Sequence, residues 1–237
     1  MTSPGPAAEP LRLFSGLALR DALENEILPE FSKQTGIDVQ TTFDPTSVLV
    51  DQIHQGNVPD VLLGVADAVH ALAVAQIFRP ESALSIASSA IGIAVPLGAS
   101  APKFETADMF IEFLLNAKSV AYSRSGASGI YFAALLDRLA IAQRINGHAT
   151  ILEKGFTAEA VVDGRADIAI QQMSELMAIP GVQVVDAFPA EFQQLTHFSA
   201  AISRRTARFA SASDLIRFLT TQQSIEALRK TGLSAGE

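Results

Sequence analysis

The chain has 237 residues, of which 49% are hydrophobic and 18% charged, with a formal charge of −8. This is ample material for one large domain or two lobes. It argues against a partner held by its nucleic-acid backbone, which demands clustered Lys and Arg. With no cysteine, disulfides, thiolate metal sites and Cys nucleophiles are excluded.

Residues 1–9 read as a tail rich in Pro, Ala and Gly, with neither the basic segment nor the apolar stretch of a secretory leader. The expected location is the periplasm if a leader has been removed, and the cytoplasm otherwise. Leu11 to Ser15 reads as a strand. Leu19 to Gln34 reads as a helix, with Ala22, Leu23, Ile27, Leu28 and Phe31 on one stripe and Gly36 as its stop. Ile37 to Phe43 alternates as a strand, and Asp44-Pro45-Thr46-Ser47 turns into a helix ending near Gly56. Asp60 to Val65 is an apolar strand, and Asp67 is expected to cap a helix to about Gln76. Strands alternating with helices predict a parallel sheet covered on both faces.

The pattern restarts with a strand at Ile91 to Val95 and a helix capped by Thr106. Ser119 to Tyr122 is a strand, Ser123 to Ser128 a Gly-containing loop, and Gly129 to Leu139 a helix. Further strands are expected at Ile151-Leu152, Asp167 to Ile170, Val182 to Val185 and Phe198 to Ile202. Thr157 caps a short helix ended by Gly164, another helix starts near Met173, and two more lie near Ser213–Leu219 and Ser224–Lys230. The predicted fold is therefore α/β and two-lobed. Residues 10–93 plus 199–237 form one lobe and 94–198 the other, with crossings near Ala94–Pro96 and Thr196–Ser199. No apolar run approaches the ~20 residues of a membrane span.

Four strand-to-helix turns carry small or hydroxyl residues: Gly16-Leu17-Ala18 leading into Leu19 and Arg20, Pro45-Thr46-Ser47, Ser125-Gly126-Ala127-Ser128-Gly129, and Gly155-Phe156-Thr157. Such turns gather where ligands bind parallel sheets, and their unpaired N–H groups suit an anion. The plainer reading of any one of them is an ordinary helix cap. Arg20 and Arg124 beside these turns are candidate carboxylate anchors or solvated charges. Gln171-Gln172 at a strand end can face the cleft or satisfy local backbone. Ser174 and Glu175 read as cap and first-turn charge of the next helix. His54, His70, His148 and His197 share no metal-ligand spacing, and no nucleotide-binding, zinc-protease or serine-nucleophile motif occurs. No metal or cofactor is expected, and no catalytic residue is assigned.

The stretches LRLFSGLALRDAL, FSKQTGIDVQTTF, IHQGNVPDVLLGV, IGIAVPLGA, SGASGIYFAALLDRLAI, DGRADIAIQQMSEL and PGVQVVDAFPAE span nearly the whole chain. In serial order they resemble the molybdate-binding type of periplasmic solute-binding proteins. The resemblance implies two α/β lobes, C-terminal helices returning to the first lobe, and an oxyanion held by hydroxyls and helix-start amides. It places the family's first-turn Ser on Ala18, its second-turn hydroxyl on Thr46, its third contact on Ser128, its fourth near Lys154-Gly155 and its Tyr hydroxyl on Gln172. Two donors are thus replaced, and the segment QQMSE resembles a divergent branch, some of whose relatives isomerise aconitate-like acids. The resemblance therefore implies a monomeric binding protein that closes on a small anion, an organic carboxylate rather than molybdate, with an ABC permease as partner. The alternatives are an isomerase of an unsaturated di- or tricarboxylate, with Glu175, Asp44 or His54 as its base, and a cytoplasmic ligand sensor.

Overall fold

The computed structural model describes residues 9–100, 103–104 and 106–236; residues 1–8 of the expected tail lie outside them. Two mixed sheets organise the fold. The first contains β1 (Leu11–Ser15), β2 (Val39–Phe43), β3 (Val61–Val65), β4 (Leu84–Ser89), β10 (Thr196–Ile202) and β11 (Ser234–Ala235), in the order β11-β4-β10-β3-β1-β2. The second contains β5 (Ile91–Pro96), β6 (Val120–Ser123), β7 (Thr150–Leu152), β8 (Ile168–Gln172) and β9 (Val182–Ala187), in the order β7-β6-β8-β5-β9. Each has a parallel trio, β2-β1-β3 and β7-β6-β8, extended by antiparallel strands.

Both faces of each sheet are covered, as the near-continuous apolar strands require. In β1, Leu11 and Leu13 enter one core and Phe14 another. In β8, Ile168 and Ile170 enter one core and Ala169 the opposite one. Neighbouring side chains on a strand point to opposite faces, so each sheet separates two cores. Helices α10 (Phe209–Leu219) and α11 (Gln222–Lys230) bury Leu215, Leu219 and Leu228 with Leu13 and Phe31, returning the C-terminal helices to the first lobe.

The first predicted helix is a composite. A 3₁₀ turn, Leu17–Leu19, leads into α1 (Arg20–Ala22), a π-helical turn at Leu23–Ile27, and α2 (Leu28–Thr35). Pro29 stands in the first turn of α2. Having no N–H, it cannot bond the carbonyl one turn back, and the wider π turn accommodates that break. Gly36, at φ 71°, ends the helix in the left-handed conformation that glycine adopts without strain.

The passage between sheets falls at Ala90, between β4 and β5, and the return occupies residues 188–195. The expected bend at Ala94–Pro96 is instead inside β5, where the register to β9 shifts between Ile93 and Ala94. Strand β4, with serines at three of its six positions, lacks the apolar signal and is not among the predicted elements.

Candidate functional site

Six turns converge at the carboxyl ends of β1, β2, β3, β6, β7 and β8. They enclose a cavity of about 230 Å³ between the lobes. The first lobe contributes Gly16, Leu17 and Ala18 after β1, Pro45, Thr46 and Ser47 after β2, and Val65 at the end of β3. The second contributes Ser123, Ser125 and Gly126 after β6, Gly155 after β7, and Gln171, Gln172 and Glu175 at the junction of β8 with α9 (Met173–Met177). Phe198 from the antiparallel β10 closes the apolar side, and Ile130, half-exposed, lines the rim.

Helix α3 (Thr46–His54) begins at the cavity. Thr46 Oγ1 accepts the Val65 backbone N–H at 3.1 Å, which joins the β2 and β3 turns and leaves the hydroxyl hydrogen free to turn inward. Its side chain lies against Gly64, where an added Cβ would come within 3.0 Å of Thr46 Cγ2. Helix α6 (Ala127–Arg138) begins opposite. Gly126 N–H donates to Ser123 Oγ at 3.1 Å, Arg124 N–H donates to the Leu152 carbonyl at 2.7 Å, and Ser125 Oγ donates to the Glu153 carbonyl. The helix start is thereby tied to the turn after β7.

Gln171 is engaged through both ends of its amide. Its Nε2 donates to the Gly155 carbonyl at 2.9 Å, and its Oε1 accepts from Thr157 N–H at 2.7 Å and Thr157 Oγ1 at 2.9 Å. It holds the Gly155 turn in place, with Gly155 at φ 100°. Gln172 donates through Nε2 to Thr196 Oγ1 at 2.7 Å. Its buried Oε1 leans toward the first turn of α9 without reaching a hydrogen bond.

Glu175 is 8% exposed and lines the cavity. Its Oε2 accepts the Gln172 backbone N–H at 3.2 Å. No lysine, arginine or histidine stands among the residues lining the cavity. Burial without a compensating cation pushes this carboxyl up to about 8, tempered by the Gln172 N–H and the Gln171 amide. That shift favours the uncharged acid at neutral pH.

The predicted site residues divide. Ala18, Thr46, Ser47, Ser125, Gly126, Gly155, Gln171 and Gln172 lie on the cavity wall. Leu19, Arg20, Arg124, Ser128, Gly129 and Phe156 do not line it. Leu19 faces the first core. Arg20 pairs with Glu24 at 2.8 Å and sits over the Phe43 ring, and Arg124 pairs with Glu153 at 3.1 Å. Both arginines are exposed and paired outside the cavity lining. Ser128 and Gly129 are buried behind the helix start, where a Cβ on Gly129 would run into the Ser123 carbonyl. Asp44 pairs with Lys154 at the cleft edge, and the four histidines are exposed. Glu175, Ser123 and the apolar wall of Leu17, Val65, Ala68 and Phe198 were not among the predicted ligand contacts. In the sequence Glu175 reads as a helix cap and as one of three candidate bases of the alternative isomerase, not as a ligand contact.

Among the described residues no helix is long and apolar enough to cross a membrane, and no three His, Cys, Asp or Glu side chains gather to hold a metal. The chain is 28% identical over 214 residues, 88% of its length and 81% of the relative's, to an aconitate isomerase from a Pseudomonas species. The periplasmic molybdate-binding protein of Azotobacter vinelandii superposes with a TM-score of 0.81 at 15% identity, covering 96% of this chain and all of that one. PEB3, a Campylobacter jejuni protein solved with L-phospholactate bound, superposes with a TM-score of 0.69 at 15% identity, covering 94% and 99%. Residues 11–234 match the family described as bacterial extracellular solute-binding protein, and the chain belongs to that family.

Proposed function

We propose that the cleft closes on a small organic anion bearing carboxylate groups, and that the protein is the binding component of an ABC-type uptake system acting outside the cytoplasmic membrane. The carrying observation is the composition of the cavity wall. Hydroxyls and helix-start amides on both lobes supply donors for an anion, while Leu17, Ala18, Val65, Ala68, Ile130 and Phe198 offer carbon to a carbon skeleton. A tetrahedral oxyanion such as molybdate presents oxygen on every side and leaves that half of the wall without a partner. The volume corresponds to roughly seven or eight waters of liquid, enough for a small di- or tricarboxylic acid. The permease would recognise the closed form, and the ligand-free protein is expected to be monomeric.

The test is a thermal-shift panel followed by calorimetry. A ligand present at a hundred times its dissociation constant stabilises by about 2.7 kcal/mol. Di- and tricarboxylates are expected to raise the melting temperature more than molybdate or sulfate. An equal or larger shift with molybdate rejects the carboxylate reading.

A second reading is favoured by one specific observation: a buried carboxyl with a raised pKa lines the cavity of a chain similar to an aconitate isomerase. In its ionised form Glu175 is suited to take a proton from a carbon of an unsaturated di- or tricarboxylate and return it at the other end of the three-carbon unit, moving the double bond. Atoms and charge balance without a cofactor. Incubation with cis- or trans-aconitate, followed by ultraviolet absorbance, decides it. Turnover abolished by Glu175→Gln supports isomerisation, and no turnover by the wild type rejects it.

A further inference from the structure

Among the described residues, Glu175 is the only ionisable side chain lining the cavity. Nothing packed against it can neutralise its charge. Helix α9, which carries it, lies on β5, β8, β9 and the turn Leu17–Leu19. The sequences IGIAVP, IAIQQ and LAL contain no ionisable side chain, and the single acid of β9, Asp186, is exposed. The turn at Gly232, which touches Met177 and Ser174, is flanked by Thr231 and Leu233. The ion pair that spans the cleft edge, Lys154 with Asp44, is already matched. One oxygen of the carboxyl is committed: Oε2 accepts the Gln172 N–H. With Oε2 receiving the Gln172 N–H, Oε1 is the oxygen better placed to carry the proton of the acid form.

We propose that Glu175 enters the ligand complex as a neutral carboxylic acid, donating Oε1–H to a ligand carboxylate, so that binding is coupled to a proton and reversed at alkaline pH. The inference rests on the carboxylate reading of the cleft. An ionised Glu175 would put two like charges in contact inside a cavity without a cation, where their repulsion is poorly screened. A protonated one supplies a donor at a place where the wall has no positive side chain. The carboxyl burial and the raised pKa of about 8 agree with this protonation state at neutral pH. Closure over the ligand then traps one proton with each anion. Release of the ligand is favoured where the proton is lost.

Succinate and tricarballylate are the probes: both are saturated, so no double bond can be moved, and both are fully ionised above about pH 7. Their dissociation constants are to be measured by calorimetry at pH 7, 8, 9 and 10 with the wild type and Glu175→Gln. For the wild type the constant is expected to rise about tenfold per pH unit above about 8. The amide of the Gln variant donates from the same place without titrating, so it is expected to bind with no such slope. A pH-independent wild-type constant, or a slope retained in Glu175→Gln, overturns the proposal. If the variant does not fold, wild-type titrations at pH 8.5 in two buffers of different ionisation enthalpy replace it. Uptake of most of a proton per ligand supports the coupling, and none overturns it. Failure of both probes, with sulfate or molybdate binding instead, is the separate result that removes the carboxylate reading itself.

Discussion

Lys154 Nζ stands 2.7 Å from Asp44 Oδ1, joining the turn after β7 in one lobe to the turn after β2 in the other. A second tie runs beside it, where Ser47 Oγ donates to the Ser125 carbonyl at 3.0 Å. Both contacts span the cleft, so both exist only when the lobes are together. The Lys side chain is 56% exposed, which limits the pair to about 0.2–1 kcal/mol. Lys154→Ala is therefore expected to weaken ligand binding by about 1.4- to fivefold, mainly through faster dissociation. The ligand-free melting temperature should scarcely move. Stopped-flow dissociation rates at low and high salt check this, since the wild-type advantage should shrink with salt.

Glu175 also makes stability depend on pH. Its folded-state pKa, about 8, lies above the ordinary value of 4.5, so the unfolded chain releases its proton first as pH rises. Between those values the unfolded state binds fewer protons, and stability falls with increasing pH. The full shift corresponds to at most about 5 kcal/mol at pH 9. Glu175→Gln removes this titration. Urea denaturation at pH 5 and pH 9 should show a variant close to wild type at the lower pH and clearly more stable than it at the higher.

The fold was legible because its strands and helices carry strong local patterns. Leu13 and Phe14 enter opposite cores because adjacent strand residues must, and Gly36 stops α2 for a reason contained in glycine itself. Strand β4 was not, since its serines give no pattern and its place follows from pairing with β10, more than a hundred residues away. The cavity shows the same divide. Thr46, Ser47, Ser125 and Gly126 are readable as small or hydroxyl residues in strand-to-helix turns. Arg20 is readable as a charge beside the first turn, and its pairing with Glu24, four residues on, follows from helical spacing on the same face. Phe198 reaches the site through the antiparallel pairing of β10 with β3, which no local spacing records.

Gly129 tests how the α6 start is held. Its φ is unremarkable, but a Cβ there would strike the Ser123 backbone, so the constraint is the close approach of two chain segments. Backbone cannot yield as a side chain tip does. Gly129→Ala is expected to cost at least about 2–3 kcal/mol and to abolish ligand binding, because the Ser123–Gly126 wall of the cavity moves with the helix start. Chemical denaturation with calorimetry on the same sample measures both effects.

Gln171 separates holding a turn from touching a ligand. Replacing it with Leu keeps the bulk but strands the Gly155 carbonyl and the Thr157 N–H, both now bonded to the amide, while the Thr157 hydroxyl keeps its bond to the Ile170 carbonyl at 3.2 Å. A buried backbone group left without a partner costs about 1–3 kcal/mol. The turn can relieve part of this only by swinging outward, which carries Gly155 off the cavity wall. Gln171→Leu is thus expected to lose about 2–4 kcal/mol of stability and most of its ligand affinity together. Gln171→Glu keeps the acceptor for Thr157 but not the donor for Gly155, so it should fall between the two. A Leu variant of wild-type stability that had lost only affinity would show instead that the amide acts on the ligand directly.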